Sequence, residues 1–363
     1  MKVPFMDLRI VDASERAAIL ASIERVMDHG KFIMGMEVEE FESKMAAFCC
    51  RQYAVGVSSG TDALYMALRA LGVGPGDEVI TTAMSWIATA NAIAMTGAEP
   101  VFADIDESLN LTVESVERLL GGKTRAIVPV HYTGRAVDIE RLTHVAKIAQ
   151  VPIIYDAAQA FGSTALGRPI GAYGEMTCFS LNPMKTLGAL GEAGLIVTDR
   201  QDYYETLKAL RYNGTVDKEI CIHTSLNGRL DALQAAIIMA RLTSVEEKIA
   251  SRKQNSKLYD QLLSGIVELP LKDSPDSSSC YYSYTIRTEE RQYLMNYLND
   301  RGIETKILHP ILMCDQSPYQ ECRNDVSPLA RAISKQILCL PVNENLSQED
   351  VFFVANTIRA AFD

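Results

Sequence analysis

The sequence predicts an α/β protein: a large domain on a mainly parallel seven-stranded sheet covered by helices, followed by a smaller α/β domain. Three observations carry this expectation. Short β-branched runs alternate with helical stretches from about residue 53 onward, the pattern that builds parallel sheets with helices on both faces. A polar stretch, LKDSPDSSS, then separates this region from a second, shorter set of strand and helix patterns. The 363 residues also exceed what one core of roughly 250 to 300 residues fills.

In order, the runs are YAVGV then TDALYMALRAL, EVITT then WIATANAIAM, PVFADI then TVESVERLL, and RAIVPV then DIERLTHVAKIA, followed by PIIYD. Two further strand-like runs, MTCFSL and AGLIVT, come after Asp156 and complete the seven. DALQAAIIMARLTSVEEKIASRKQNSKLYDQLL reads as one long helical region whose end leaves the large domain. That divides the chain into residues 1–245 and 246–363, with the N-terminal segment able to pack on the small domain. In the second part, YYSYTIR reads as a strand, EERQYLMNYLNDRG as a helix, IETKI as a short strand and SQEDVFFVANTIRAAF as a closing helix. Ligands of such sheets bind at the carboxyl ends of the parallel strands, so that edge is where chemistry is expected.

Composition narrows the function classes. With 48% hydrophobic and 22% charged residues and no low-complexity tract, the chain reads as globular. A net charge of -11 argues against nucleic-acid binding through general electrostatics, so the positive partners of any phosphorylated ligand must be local. The start has no apolar core of signal-peptide length, and no stretch approaches the ~20 apolar residues of a membrane span. A cytoplasmic protein is the expectation. The eight cysteines form no C-x-x-C pair and no grouping with the five histidines, so reduced thiols and no metal are expected.

Four features could carry chemistry, each with a plainer alternative. Lys185 lies in FSLNPMKTLGALGEAG, a Gly-rich loop between two expected strands. Desolvated in a cleft, its amine becomes a nucleophile toward an aldehyde; otherwise it is a surface lysine. Asp156 ends PIIYD at a strand's carboxyl end, where it could keep a pyridinium nitrogen protonated or simply cap the turn that follows. Ser58-Ser59-Gly60-Thr61-Asp62 opens the first helix after YAVGV, a position suited to phosphate and equally to ordinary helix capping. Trp86, the single tryptophan, follows EVITT and offers either a stacking surface for a heteroaromatic ring or a core aromatic.

Taken together and in this order, SSGTDAL, DAAQAFG, CFSLNPMKTLGALGEAG and SLNGRLDALQAAI resemble the nucleotide-sugar aminotransferases of the DegT/DnrJ/StrS type. The resemblance extends through GKFIMGMEVEEFESKMAAF, PVHYTGRAVDIE, GIETKILHPI and LCLPVNENLSQEDV, nearly the whole chain. It implies the aspartate aminotransferase fold, fold type I of the pyridoxal-phosphate enzymes, and pyridoxal 5'-phosphate as cofactor. Lys185 would carry the cofactor as a Schiff base, Asp156 would pair with the ring nitrogen, Gln159 would lie near the ring hydroxyl and Trp86 would stack. Gly60, Thr61 and Ser180 would hold the phosphate, completed by Asn227 of a second subunit in a homodimer with shared sites.

The substrates implied are L-glutamate and a nucleotide-diphosphate keto-sugar, a 4-keto-6-deoxy-hexose by default, giving amino sugars for surface polysaccharide or secondary metabolites. Lys31, Arg229 and Lys306 are candidates for the diphosphate and His309 for the sugar. Gly228 stands where the family often has an aromatic, and Trp86 where it more often has Phe or Tyr; both departures bear on substrate rather than reaction. Related dehydratases carry His at the lysine position, and this chain keeps Lys185. The competing readings are a dehydratase, a 3-keto-sugar aminotransferase and a silent sugar-nucleotide sensor. A nicotinamide enzyme fits poorly, because no G-x-G-x-x-G follows the first strand.

Overall fold

Each of the seven runs expected in the large domain forms a strand. In the computed structural model, which describes residues 2–362, these are β1 (Tyr53–Val57), β2 (Glu78–Thr82), β3 (Glu99–Ala103), β4 (Thr124–Val128), β5 (Ile154–Asp156), β6 (Met176–Ser180) and β7 (Gly194–Thr198). Four pair in the order β1-β7-β6-β5 and three in the order β3-β2-β4. Parallel bridges from Ile127 to Ile153 and from Val130 to Asp156 join β4 to β5. All pairings are parallel except those of β7, which runs antiparallel to β1 and β6. The strands read as continuous apolar or β-branched runs because both faces are covered: Val79, Ile80, Thr81 and Thr82 of β2 are all buried.

The covering helices are α1 (Ala13–His29), α2 (Met36–Phe48), α3 (Gly60–Ala70), α4 (Ala88–Ala94), α5 (Val113–Leu119), α6 (Ile139–Ala149) and α7 (Gln201–Arg211), and α1, α3, α5 and α6 start on side-chain caps. Asp12 caps α1, and Gly30, at φ 69, closes it by donating to Val26 O. Ser59 caps α3 by accepting from Asp62 N–H, and Ala63, Leu64, Met66 and Ala67 bury its inner face. Glu42 of α2 and Arg211 of α7 form a buried ion pair, and the same carboxylate accepts Gly56 N–H at 2.8 Å, fixing both helices to β1. A short hairpin, β8 (Thr215–Val216) with β9 (Ile220–Cys221), stands out beyond α7.

The long helical region is two helices, α8 (Ala232–Leu242) and α9 (Val245–Leu263). The break has a packing cause: α8 is apolar and packs on α1 and α2, whereas the polar α9 packs on the closing helix α12 (Gln348–Phe362). Before that come β10 (Tyr284–Arg287), α10 (Arg291–Asp300), α11 (Pro328–Gln336) and β11 (Ile337–Leu340). β10 and β11 pair antiparallel over a core that includes Val3, Tyr259, Leu298 and Ile358. IETKI is not a strand. Ile303 bridges to Val3 and Lys306 to Cys339, so its backbone is shared between two partners and never runs along one.

His131, in the loop after β4, is fully buried, stacked 4.9 Å from the Tyr155 ring of β5, with Nδ1 accepting Val137 N–H at 3.1 Å. Burial pushes its pKa from 6.5 down to about 3. The unfolded chain therefore takes up a proton first, and stability present above pH 6.5 is lost progressively as pH falls toward 3. In urea unfolding between about pH 6.5 and about pH 5, the wild-type protein should lose up to roughly 1.4 kcal/mol per pH unit more than His131→Gln. Parallel pH dependences for the two proteins would contradict this.

Candidate active site

Loops leaving the carboxyl ends of β1, β2, β5 and β6 converge on one cavity of about 950 Å³. Because β7 runs the other way, its first residue, Gly194, also lies at this edge. A Cβ there would stand 2.2 Å from Ser59 O, so only glycine lets the β1 loop close against it. The opposite wall comes from Phe5, Met6 and Leu8 of the N-terminal arm and from residues between Glu304 and Gln316.

Asp156 is the buried charge of the site, 3% exposed yet lining the cavity. Its Oδ2 accepts from Thr89 Oγ1 at 2.8 Å and its Oδ1 from Ala158 N–H at 3.0 Å. Burial raises its pKa; the two hydrogen bonds and the charge of Lys185 pull the other way. The turn-capping alternative is thus present in the Ala158 bond, and no helix follows. Lys185 lines the same cavity rather than standing on the surface.

Gly60 and Thr61 line the cavity at the start of α3, where backbone N–H groups are unpaired by the helix itself. A Cβ on Gly60 would meet Ser180 Cβ at 2.6 Å, so the helix N-terminus and Ser180 sit together only because residue 60 has no side chain. The capping alternative holds for Ser59 alone. Gln159 is buried, its Oε1 accepting Thr133 N–H at 2.8 Å. Trp86 is 62% exposed and lines the cavity, so it is no core aromatic.

His309 and Lys306 also line the cavity. His309 takes a left-handed φ of 51 just before Pro310, a conformation that a non-glycine residue adopts only when its surroundings fix it. Its ring lies 5.8 Å from Trp86. Burial first and Lys185 second push its pKa from 6.5 to about 4, so the imidazole is neutral at pH 7. Tyr132 Oη lies 2.9 Å from His309 Nδ1 and 3.2 Å from Leu308 O. The hydroxyl has one proton, so both bonds form only if it donates to Leu308 O and accepts from Nδ1–H. Nε2 is then a bare acceptor.

Three expected residues lie outside the cavity of this chain. Asn227 is exposed and its Oδ1 accepts Arg229 Nε–H at 2.7 Å, while the Arg229 guanidinium covers the Tyr212 ring at 4.6 Å. Lys31 is exposed, beside His29. Sequence reasoning missed Thr89, Tyr132 and Tyr282, which also approach the site; the aromatic run YYSY was the one available signal for the last.

A lysine and a buried carboxylate facing each other at the carboxyl edge of a mainly parallel sheet, with a helix N-terminus suited to phosphate, define a pyridoxal-phosphate enzyme of the aminotransferase kind. Residues 13–359 match the DegT/DnrJ/EryC1/StrS aminotransferase family, and the chain belongs to that family. It is 37% identical to the dTDP-3-amino-3,4,6-trideoxy-alpha-D-glucose transaminase of Streptomyces venezuelae, over 99% of this chain and 96% of that protein. DesV of S. venezuelae, solved in complex with a ketimine intermediate, superposes with a TM-score of 0.95 at 37% identity, covering 99% of this chain and 98% of that one. NtdA of Bacillus subtilis, solved with bound cofactor PMP, gives a TM-score of 0.89 at 29% identity, covering 99% and 85%. Pyridoxal phosphate is the cofactor, and the protein is an aminotransferase.

A side chain at residue 60 should part α3 from Ser180. Gly60→Val should keep the circular dichroism spectrum and weaken pyridoxal-phosphate binding by roughly ten-fold or more, read by equilibrium dialysis. Unchanged affinity would contradict the tight approach at Gly60.

Proposed function

We propose that the protein transfers the amino group of L-glutamate to a nucleotide-linked keto-sugar, most simply a 4-keto-6-deoxy-hexose, to give an amino sugar for surface polysaccharide or secondary metabolites. The observation that carries the reading is the size and lining of the Lys185 cavity. At about 950 Å³ it lies at the top of the range for small-molecule sites, room for a cofactor and a bulky second substrate together.

Pyridoxal phosphate supplies an electron sink and a carrier for the amino group between the two half-reactions. Lys185 would hold it through its amine, and that amine, when free, would serve as the general base and acid of the site. Asp156, oriented by Thr89 and Ala158 N–H, keeps the ring nitrogen protonated. Gly60, Thr61 and Ser180 would hold the phosphate, Gln159 would serve the ring hydroxyl, and Trp86 would stack. His309 offers its bare Nε2 to a hydroxyl of the sugar, and Lys306 offers a charge to its diphosphate. Lys185 inside the cavity favours an aminotransferase over a silent sensor, which has no use for such an amine.

The remaining residues fit a cytoplasmic homodimer. Lys31 is followed in sequence by the exposed apolar Phe32, Ile33 and Met36, and the hairpin that precedes Asn227 and Arg229 exposes Val216 and Ile220, with Ile222 just after it. A two-stranded hairpin with such a surface is not stable alone and calls for a cover. A second copy brings Asn227 to the phosphate and the two cations to the nucleotide. The division near residue 245 belongs to the same proposal. No helix among the described residues is long and apolar enough to cross a membrane.

The test is to incubate the holoenzyme with L-glutamate and a panel of dTDP-, UDP- and GDP-linked 3-keto and 4-keto sugars. Mass spectrometry should detect one aminated sugar and an equal amount of 2-oxoglutarate, with Lys185→Ala slower by roughly a thousand-fold. A holoenzyme that accepts the amino group from glutamate yet aminates no sugar in the panel would sink the substrate reading.

A further inference from the structure

Lys185 Nζ lies over the face of the Tyr282 ring, 4.7 Å from its centroid, and both side chains line the cavity. A cation on an aromatic face is attracted by the ring's quadrupole, whatever the ring's substituent.

The backbone holds this ring in place from both sides. Tyr281, the residue before it, has a left-handed φ of 50, a turn that persists in a non-glycine residue only where neighbours impose it. Arg252 imposes it: Nη1 donates to Tyr281 O at 3.2 Å and Tyr282 O at 3.4 Å, while Nη2 pairs with Glu344 at 2.6 Å. On the other side, Cys280 N–H donates to Ser163 Oγ at 2.9 Å, and the Cys280 thiol lies 3.3 Å from Gln159 O. Ser283 N–H reaches Thr133 O at 3.4 Å. The loop that carries Asp156 and Gln159 thus fixes the start of the segment, and α9 fixes its middle.

We propose that Tyr282 is a positioning residue for Lys185. Whenever the lysine is not covalently engaged, the ring face keeps its ammonium pointing into the cavity and prevents the four-carbon side chain from swinging out to solvent. This rests on Lys185 being the cofactor lysine.

To test it, the holoenzyme is stripped with hydroxylamine and pyridoxal phosphate is added back. The lysine link is trapped with borohydride at intervals and counted by mass spectrometry. At fixed pH, Tyr282→Leu should slow link formation roughly five-fold, and Tyr282→Phe should stay within about two-fold of wild type. In a Lys185→Ala background, Tyr282→Leu should leave the dissociation constant for pyridoxal phosphate unchanged, which a general structural role would move. The proposal is overturned by a wild-type rate in Tyr282→Leu, by a loss in Tyr282→Phe as large as in Tyr282→Leu, or by an equal loss of affinity without the lysine. Wild-type protein that forms no link at Lys185 would instead overturn the assignment of the cofactor lysine.

Discussion

A carboxylate sealed into the protein at the end of β5 is the constraint around which the site is arranged. An unpaired buried charge costs several kcal/mol, and two hydrogen bonds to it return roughly 1.5 to 3 kcal/mol each. Asp156 has those two bonds, from Thr89 and Ala158, and the field of Lys185 across the cavity. Its raised pKa says that they leave part of the burial penalty uncompensated. A cationic ring nitrogen against this carboxylate would supply what is missing, which is the physical ground for proposing Asp156 as the partner of a pyridinium.

The rest of the cavity follows from strand direction. Parallel strands deliver Thr61, Trp86, Asp156 and Ser180 to one edge, and the reversed β7 places Gly194 where the β1 loop needs room. The wall opposite is assembled from distant parts of the chain. Phe5 N–H donates to Glu304 at 3.0 Å and Asn343 holds the backbone of Pro4 and Phe5, so the N-terminal arm is tied both to the 304–316 segment and to the closing region. The Arg252 to Glu344 pair ties that region to α9.

What was legible in the sequence is what local pattern encodes. All seven strands could be read because burial on both faces makes each a continuous apolar or β-branched run, and the loops after them carried Gly60, Trp86, Asp156 and Lys185 to the expected edge. The break between α8 and α9 had a local signal in Thr243, Ser244 and Glu247, a cap-favouring pair with the S-x-x-E spacing of a helix start, but the apolar and polar runs on either side read as one helix. IETKI has strand composition, yet its backbone partners are chosen by the N-terminal arm and by β11. Asn227 was expected from a second subunit and stands outside this chain's cavity; Lys31 and Arg229 were chosen for their charge alone, and charge does not say which residue reaches the cavity. Tyr282 is set by the turn at Tyr281, an effect of Arg252 that no local motif announces.

Amino transfer at this site depends most on the Asp156 carboxylate, proposed as the partner of the cofactor's ring nitrogen. Asp156→Asn removes the charge and keeps the shape, so the most direct measurement is the single-turnover rate of amino transfer from L-glutamate to the bound cofactor in this variant, followed by absorbance. The account predicts that Asp156→Asn still takes up pyridoxal phosphate and transfers at least about a hundred-fold more slowly than wild type. A variant that transfers at the wild-type rate would contradict it.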